Sequence, residues 1–588
     1  MGSQQEHLED VPLYISKSNI STRSNKTGSW RFVCPVYDEK TAPCSSRCPA
    51  GEDIARVEML AAKGEFHGAW ETIIRENPFP AVCGRVCFHT CEQACNRREF
   101  DREVGIHNLE RLVGDMAIRE NYQVSGDPAP AAQNSPQKHI AIAGAGPSGL
   151  AAVWFLSMLG YSCDIFESKN EPGGILRWGI PAYRLPRDIL KYEINRIVDR
   201  ELNNQDIKIF CNTPLTEDLI QSRSDRYDAV FMGCGYGKSL EMGIKGQENA
   251  FDGLEFLHDS ETCKADKGRG LTAVIGGGNT AIDVARSLKR TGANPVIVYR
   301  RRKQDMPAFA QEIDMALEEG IELMELFSPV AIDLDKSGYL LTLQKMKPVD
   351  METKTGRTRV VPDEAPHQTL AVDKVFTAIG AAPEENWYLP PEDQDHIIKL
   401  SHCTFWENDF PVVFGGDLTS PVKSVADAIA SGKQAAIALD TYFRQGKEKI
   451  LENINNSRVG TGPSLSMEIY LQGKRKERNP HVVSFQEINT DYFCEISKNE
   501  PAVLSPDQRA DCFDEVENGF DRGAGIKEAL RCFNCGICND CDNCRVFCPD
   551  AAVVVNKKRY IDLDYCKGCG ICVVECPRNA MSLEEEKP

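Results

Sequence analysis

The stretch HIAIAGAGPSGLAAVWFLSMLG, residues 139–160, decides the fold of the central part of this chain. A β-type run leads into glycines and then into an apolar run of helix-forming residues. Gly144, Gly146 and Gly149 allow a tight turn, and the start of the helix offers unpaired N–H groups to a pyrophosphate. The next β-type run, SCDIFE, ends in Glu167, where a carboxylate can accept ribose hydroxyls. The stretch therefore predicts a Rossmann-like dinucleotide-binding unit.

A second unit of the same kind begins with TAVIGGGNTAIDVARSLKR, residues 272–290. Gly276, Gly278 and Ala281 occupy the phosphate-loop positions, and Asn279 belongs to the same loop. The pattern predicts a second dinucleotide site.

The second strand of this unit, PVIVYRRR, ends in arginines rather than in an acid. An acid would repel a 2′-phosphate, whereas Arg300 and Arg301 can pair with it, so the unit favours NADP over NAD. The alternative is that both arginines are only the solvated end of a strand.

The segment VVFGGDLTSPVKSVADAIASGKQAA, residues 412–436, returns to strand, turn and helix. It resembles the segment that closes the FAD domain of two-dinucleotide flavoproteins. The resemblance implies that Asp417, after Gly416, hydrogen-bonds the ribityl chain and that the following helix points its positive end at the flavin ring. Two nucleotide units, the second inserted in the first, imply FAD plus a nicotinamide. Between residues 138 and 447 no CxxC pair occurs, so a disulfide reductase would lack its redox pair.

The C-terminal end carries two CxxCxxCxxxCP runs. In two-cluster ferredoxins the fourth cysteine of each run ligates the other cluster. The expected ligand sets are Cys538, Cys541, Cys544 and Cys576, and Cys566, Cys569, Cys572 and Cys548. Zinc sites are the weaker alternative, because they would not need reciprocal runs.

Composition limits the remaining classes of function. The chain has 588 residues, of which 41% are hydrophobic, enough for about three or four domains. Its 24 cysteines crowd into short spacings, and the start MGSQQEHLED lacks the features of a secretory leader, so metal ligation in a reducing cytoplasm is expected rather than disulfides. A formal charge of −19 argues against nucleic acid as a partner. No apolar run reaches the ~18 residues of a membrane span.

We therefore predict an α/β protein with two nested Rossmann-like domains, preceded by a helical iron–sulfur domain and followed by a ferredoxin-like domain with two [4Fe-4S] clusters. The expected boundaries are a polar tail at 1–30, the helical domain at 31–124, a linker at 125–137, the FAD domain at 138–240 and 373–447, the NADP domain at 241–372, a connecting segment at 448–527 and the ferredoxin-like domain at 528–588.

Seven motifs together resemble the small subunit of NADPH-dependent glutamate synthase. They are NPFPAVCGRVCFHTCEQAC, VGIHNLERLVGD, GAGPSGLAA, EPGGILRWGIPAYRLP, GGGNTAIDVAR, YRRRKQDMPA and GGDLTSPVKSVADAIASGKQAA. The same module occurs in dihydropyrimidine dehydrogenase and in NADH-dependent ferredoxin:NADP transhydrogenases. The resemblance implies FAD, an NADPH site and two N-terminal [4Fe-4S] clusters, and it adds Gly174 of the EPGG motif to the FAD site.

In the pattern of this family, one N-terminal cluster is held at the positions of Cys48, Cys87, Cys91 and Glu110. Cys83 matches a position that ligates nothing.

The other N-terminal cluster departs from the family pattern. Cys44 and Cys95 match their positions, but the CxxC that should precede them is missing. EALRCFNC, with Cys532 and Cys535, reproduces that missing piece near the C-terminus. We predict that this pair folds back to complete a cluster with Cys44 and Cys95, giving about four clusters in all. The alternatives are that the pair are spare thiols or that Cys34 serves instead.

These features predict an NADP(H)-dependent FAD and iron–sulfur oxidoreductase subunit. A nicotinamide exchanges two electrons as hydride and a cluster exchanges one, while a flavin does both. No further substrate domain is visible, so ferredoxin or larger oxidoreductase subunits in a hetero-oligomeric complex are the expected partners, as in a transhydrogenase or a bifurcating complex. The alternatives are a glutamate synthase small subunit and a non-catalytic electron-transfer adaptor.

Overall fold

The computed structural model describes residues 26–124, 137–199, 206–217, 226–259, 270–335, 338–352, 358–392, 396–407, 410–556 and 559–586. Most of the expected polar tail and nearly all of the expected linker lie outside these residues.

Helices build the N-terminal domain. The longer ones are Ile54–Ala62, Phe66–Ile74, Pro80–Val86 and Ile106–Arg119, and the short ones are Pro43–Arg47 and Thr90–Gln93. Helices Pro80–Val86 and Ile106–Arg119 cross in close contact, because a glycine stands at each contact point. A Cβ on Gly84 would lie 2.4 Å from the backbone nitrogen of Arg111, and a Cβ on Gly114 would lie 2.4 Å from that of Ala81. This crossing places the Cys83–Cys87 turn beside Glu110.

A seven-stranded sheet forms the first nucleotide unit. Its strands in spatial order are Ile397–Lys399, Thr404–Glu407, Pro411–Phe414, Ala229–Met232, His139–Ala143, Ser162–Phe166 and Ile207–Phe210. The five strands from Pro411–Phe414 onward run parallel, because the connections between them cross over the sheet. Helices Pro147–Leu159 and Val425–Gln445 pack against each other so closely that a Cβ on Gly432 would lie 2.6 Å from the backbone nitrogen of Ala152.

A five-stranded parallel sheet forms the second unit, inserted between strands of the first. Its order is Glu322–Glu325, Asn294–Tyr299, Leu271–Ile275, Lys374–Thr377 and Phe251–Asp252. Helices Gly253–Asp259, Asn279–Arg290 and Ala310–Glu318 accompany it. An antiparallel sheet extends from it, with strands Phe327–Asp335, Gly338–Glu352, Thr358–Pro362 and Gln368–Val372. The nesting agrees with the sequence prediction.

One boundary of the second unit differs from the prediction. Strand Lys374–Thr377 pairs with Leu271–Ile275, so the second sheet extends past residue 372, where we expected it to end. The chain returns to the first unit only after Ala381–Ala382, which pairs antiparallel with Lys238–Ser239 where the chain leaves that unit.

The C-terminal end folds back onto the N-terminal domain. Strand Met581–Glu585 pairs antiparallel with Val33–Tyr37. Helix Arg522–Ala529 packs on helix Ile54–Ala62. Phe533 is buried in the core of the N-terminal domain. The remaining C-terminal elements are helices Asn543–Val546 and Ile571–Val574 and the hairpin Val553–Val555 with Arg559–Ile561.

The connecting segment is also part of the packed structure. Its helices are Ile450–Asn456, Met467–Tyr470 and Pro506–Asp511, and its strand Asn479–Val482 pairs parallel with Lys40–Thr41. Among the described residues, no helix combines the length and apolarity needed to cross a membrane.

Candidate functional site

The first phosphate loop lies between strand His139–Ala143 and helix Pro147–Leu159. Gly144 has a φ of +92°, which favours glycine. A Cβ on Gly149 would lie 2.0 Å from the carbonyl oxygen of Gly144, so only glycine permits this approach of helix to strand. Gly146 is the N-cap residue of the helix. The glycines therefore leave room beside the first N–H groups of the helix, as pyrophosphate binding requires.

Two further predicted residues lie against this loop. The Glu167 carboxylate accepts hydrogen bonds from the backbone N–H of Ala145 at 2.9 Å and from that of Lys169 at 2.8 Å. Oε1 also accepts from Ser168 Oγ at 3.3 Å, whereas Oε2 keeps a second acceptor site, which suits a ribose hydroxyl of a dinucleotide. Gly174 has a φ of +53°, and a Cβ on it would lie 2.7 Å from the Cα of Gly146.

The predicted GGD segment meets the same loop from the other side. Gly416 has a φ of +62°, and its backbone N–H donates to Ser431 Oγ at 2.8 Å. A Cβ on Gly416 would lie 2.7 Å from Ser148 Oγ, in the first turn of the phosphate-loop helix. Burial raises the pKa of the Asp417 carboxyl above its ordinary value, since the charged form is poorly solvated there. Ser424 caps the helix that follows.

The second phosphate loop opens helix Asn279–Arg290. Among the described residues, no heavy atom lies within 4 Å of a Cβ built on Gly278, so the helix N-terminus faces open space that a phosphate can fill. Gly276 has a φ of +148° and packs against the carbonyl of Ala378. Asn279 Oδ1 accepts a hydrogen bond from the Phe309 N–H at 2.9 Å, so its side chain fixes the neighbouring loop.

The two predicted phosphate-binding arginines follow strand Asn294–Tyr299. Arg300 is exposed. Arg301 is half-buried, and its Nε donates to the carbonyl oxygen of Thr358 at 3.0 Å.

The first predicted cluster site lies between the helical domain and the flavin unit. Cys48 interacts electrostatically with Cys87 and Glu110, and Cys91 interacts with Cys48 and Cys87. The carboxyl of Glu110 accepts a hydrogen bond from Asn77 Nδ2 at 2.9 Å. The structure thus brings the predicted ligands together.

The ionisation of this set fits a bound cation. Burial, with Glu110 nearby, raises the pKa of the Cys87 thiol to about 12. Burial and the neighbouring Glu52 carboxyl raise the pKa of Glu110 well above its usual range. Such donors stay protonated in a buried site without metal, and a coordinated cation deprotonates them. Cys83 makes a contact of its own, because its Sγ donates to Asn77 Oδ1 at 3.8 Å.

Cys532 and Cys535 lie where the predicted fold-back requires. Together with Cys44 and Cys95 they line one cavity inside the N-terminal core. Cys34 does not line that cavity and instead lies in the strand that pairs with Met581–Glu585.

The surroundings of this fold-back set fit a cluster. Asn96 Nδ2 donates to Cys535 Sγ at 3.4 Å, and the backbone N–H of Asn534 donates to Cys532 Sγ at 3.3 Å. Such N–H···S bonds stabilise thiolate ligands. Glu58 also lines the cavity, is 1% exposed, and neither of its carboxyl oxygens has a hydrogen-bond partner among the described residues.

The structure places most of the C-terminal cysteines beside members of their predicted reciprocal sets. Cys548 lines a cavity with Cys566, Cys569 and Cys572, so the fourth cysteine of the first run lies with the second run. Cys576 interacts electrostatically with Cys538 of the other set, and Cys544 packs in the same small core. Cys541 and Cys569 are exposed.

A cavity between the iron–sulfur domain and the second nucleotide unit was not predicted from the sequence. His89 and His107 stack there with ring centroids 3.8 Å apart and an interplanar angle of 12°, and His107 Nδ1 lies 2.6 Å from Glu92 Oε1. The nitrogen lone pairs of stacked rings lie in two nearly parallel planes and do not converge on one point, and Lys498 Nζ lies 3.8 Å from the Glu92 carboxylate. The arrangement is a packed hydrogen-bonded cluster, and no spacing in the sequence marks it.

Three sequence families match parts of the chain. Residues 34–122 match "Dihydropyrimidine dehydrogenase domain II, 4Fe-4S cluster". Residues 138–399 match "Pyridine nucleotide-disulphide oxidoreductase". Residues 559–582 match "4Fe-4S binding domain".

Curated relatives span most of the chain. The β subunit of an NADP(+)-dependent formate dehydrogenase from Moorella thermoacetica is 33% identical over 529 residues, covering 84% of this chain and 70% of the relative. The β subunit of an NADPH-Fe(3+) oxidoreductase from Geobacter sulfurreducens is 30% identical over 542 residues, covering 86% of this chain and 76% of the relative. The PreT subunit of an NAD-dependent dihydropyrimidine dehydrogenase from Salmonella typhimurium is 32% identical over 413 residues, covering 69% of this chain and 92% of the relative.

Among solved structures, Mycobacterium tuberculosis FprA in complex with NADPH aligns with 54% of this chain and 86% of its own, at 18% identity and a TM-score of 0.44.

Proposed function

Since this chain belongs to the family of NADPH-dependent FAD and iron–sulfur oxidoreductase subunits, we propose that it exchanges electrons one at a time between NADP(H) and a partner protein. The chain is an NAD(P)H-dependent flavin iron–sulfur oxidoreductase, and the predicted FAD, NADP(H) and [4Fe-4S] cofactors are confirmed. When bound, FAD accepts two electrons as a hydride and releases them singly to iron–sulfur clusters.

The order of the cysteine sets through the molecule carries this proposal. Cys87 interacts electrostatically with Asp427, in the first turn of the flavin helix. Cys91 interacts with Cys44, which belongs to the fold-back set. Cys572 interacts with Cys544, which links the two ferredoxin-like sets. Cys535 of the fold-back set and Cys538 of the first ferredoxin-like set are three positions apart in the chain, so the sets follow one another from the flavin helix toward the exposed Cys569.

The residues of each site have stated roles in the proposal. The Gly144–Gly149 turn, Gly174 and Gly416 leave room for FAD, while Glu167 binds ribose and Asp417 the ribityl chain. The Gly276–Gly278 turn binds the phosphates of NADP(H), Asn279 supports that loop, and Arg300 with Arg301 faces the 2′-phosphate.

Sixteen side chains would hold four clusters. They are Cys48, Cys87, Cys91 and Glu110; Cys44, Cys95, Cys532 and Cys535; Cys538, Cys541, Cys544 and Cys576; and Cys548, Cys566, Cys569 and Cys572.

The partner is ferredoxin or a larger oxidoreductase subunit in a hetero-oligomeric complex. Two relatives are named as β subunits, which supports a multi-subunit assembly. The chain itself also supports the proposal, because two of its predicted cluster ligands, Cys541 and Cys569, are exposed at the surface.

Partner reduction tests the proposal. The full chain is purified with its native partner, and reduction by NADPH is followed separately at the flavin and at the partner. The double variant Cys566→Ser/Cys572→Ser should still accept electrons at the flavin, because these residues lie outside both nucleotide units, but should lose transfer to the partner. The matched control Cys163→Ser changes a buried thiol of the flavin sheet and should retain both steps. A double variant that reduces the partner at the full rate would show that electrons leave elsewhere.

A further inference from the structure

Arg578 lies where the fold-back segment meets the ferredoxin-like domain. It follows Cys576 and Pro577, and its carbonyl oxygen accepts a hydrogen bond from the Gly536 N–H at 2.7 Å. Its guanidinium lies 5.3 Å from the ring centroid of Phe493. The Phe493 ring in turn packs 4.5 Å from that of Phe533, between the two fold-back cysteines. Backbone and side chain together fix the guanidinium at this junction.

The charge on Arg578 lacks a carboxylate partner within the part of the chain that the structure describes. Among the described residues, no Asp or Glu pairs with it, and its buried Nε has no hydrogen-bond partner. Neighbouring arginines differ: Arg531 pairs with Glu528 and Asp101, and Arg559 pairs with Asp542. Arg578 is therefore a fixed, half-buried cation beside the cysteine sets, and its guanidinium stays protonated at any working pH.

The electrostatic neighbours of this cation belong to two different ligand sets. Cys532 and Cys535 are in the fold-back set. Cys538, Cys541 and Cys576 are in the first ferredoxin-like set. A cluster bound by four thiolates carries net negative charge, and that charge grows when the cluster is reduced. A fixed positive charge between two such sites stabilises the reduced form of both.

We propose that Arg578 is a positioning residue for electron transfer, whose charge sets the reduction potentials of the fold-back cluster and the adjacent ferredoxin-like cluster together. The inference rests on the cluster assignment of the proposed function. It adds that the charge of one side chain stabilises the reduced form of two clusters. These are the two clusters that flank the junction between the flavin-side clusters and the C-terminal clusters.

A redox titration followed by electron paramagnetic resonance tests this on the full chain with its clusters, with dithionite as reductant so that NADPH and the partner play no part. In Arg578→Gln, two cluster signals should shift to more negative potentials, while the other two stay in place. Arg578→Lys keeps the charge and should leave all signals near their original potentials. Arg522→Gln is the matched control. Arg522 begins the helix that precedes the fold-back pair, and its guanidinium lies over the ring of Phe66, so this variant should shift none of the four signals.

Unchanged potentials in an iron-replete Arg578→Gln chain would overturn the proposal, as would an equal shift of all four signals. If Arg578→Gln loses iron, Arg578→Lys decides: unmoved signals support a role for the charge, and signals displaced despite the retained charge contradict it. Because the readout does not use NADPH, failure here is distinguishable from failure of the proposed enzymatic function.

Discussion

Arg300 and Arg301 adjoin in the chain, but their side chains have different surroundings. Arg301 Nε is held by the carbonyl oxygen of Thr358 at 3.0 Å, whereas Arg300 is exposed beyond the end of its strand. A guanidinium that already serves a backbone carbonyl has fewer donors left for a phosphate. Arg300 is therefore the better test of nucleotide preference.

Arg300→Gln should weaken NADPH binding by about 1.5–3 kcal/mol and leave NADH nearly unaffected, because only the 2′-phosphate loses a charge-assisted contact. The KM of the full chain for each nucleotide, measured with a one-electron dye, gives the comparison. Lys289→Gln, at the far end of helix Asn279–Arg290, is the control and should change neither value. Equal loss for both nucleotides would remove the reason for assigning NADP.

At the scale of elements, the fold-back segment connects parts of the chain that are distant in sequence. Cys532→Ser/Cys535→Ser should lose about four irons per chain and retain the ferredoxin-like clusters, because each cluster depends on its own four ligands. Iron analysis together with electron paramagnetic resonance measures both effects.

Cys34→Ser is the matched control for the fold-back pair, since Cys34 lies in a nearby strand and away from the cavity. It should keep all the iron. Iron loss in Cys34→Ser with none in the double variant would mean that Cys34 is the ligand and that the pair are spare thiols.

Local patterns in the sequence predict some elements and leave others open. The glycine turns at Gly144 and Gly276 were predictable because strand, turn and helix are neighbours in the chain. The fold-back pair was predictable because a recognisable motif was missing in one place and present in another. Strand Lys374–Thr377 was placed in the wrong unit, because a buried parallel strand carries the same apolar pattern in either sheet. His89 and His107 gave no signal, because 18 positions separate them and only the tertiary fold stacks them.

At the scale of the whole molecule, a buried ion network holds the two nucleotide units in one orientation. Arg184 of the flavin unit contacts Asp283 at 2.8 Å and Glu312 at 3.2 Å, both in the second unit. The Tyr183 ring packs under Arg290, 3.9 Å from the guanidinium carbon. From the connecting segment, Arg509 reaches Glu319 at 3.8 Å. Three parts of the chain thus meet at one buried cluster of charges.

Arg184→Met should lower stability by about 3–5 kcal/mol, because it leaves the buried Asp283 carboxyl without its cation. We expect a lower thermal midpoint and faster hydrogen exchange in helix Asn279–Arg290. The control Lys303→Met breaks the pair of Lys303 with Asp314, which lies at the surface and contributes about 0–1 kcal/mol. If both variants behave alike, the network does not hold the units together.

Because the C-terminal end packs on the N-terminal domain, that domain can be completed only late in synthesis. A ribosome releases the N-terminal domain first, at about 5–20 residues per second. Cys95 and Cys532 stand 437 positions apart, so some 20–90 s pass before the second partner of the fold-back set leaves the ribosome. During that interval strand Val33–Tyr37 lacks the strand it pairs with, and the core lacks Phe533. The nascent chain, rather than the finished enzyme, is therefore the form most vulnerable to aggregation and to oxidation of thiols that do not yet hold a cluster.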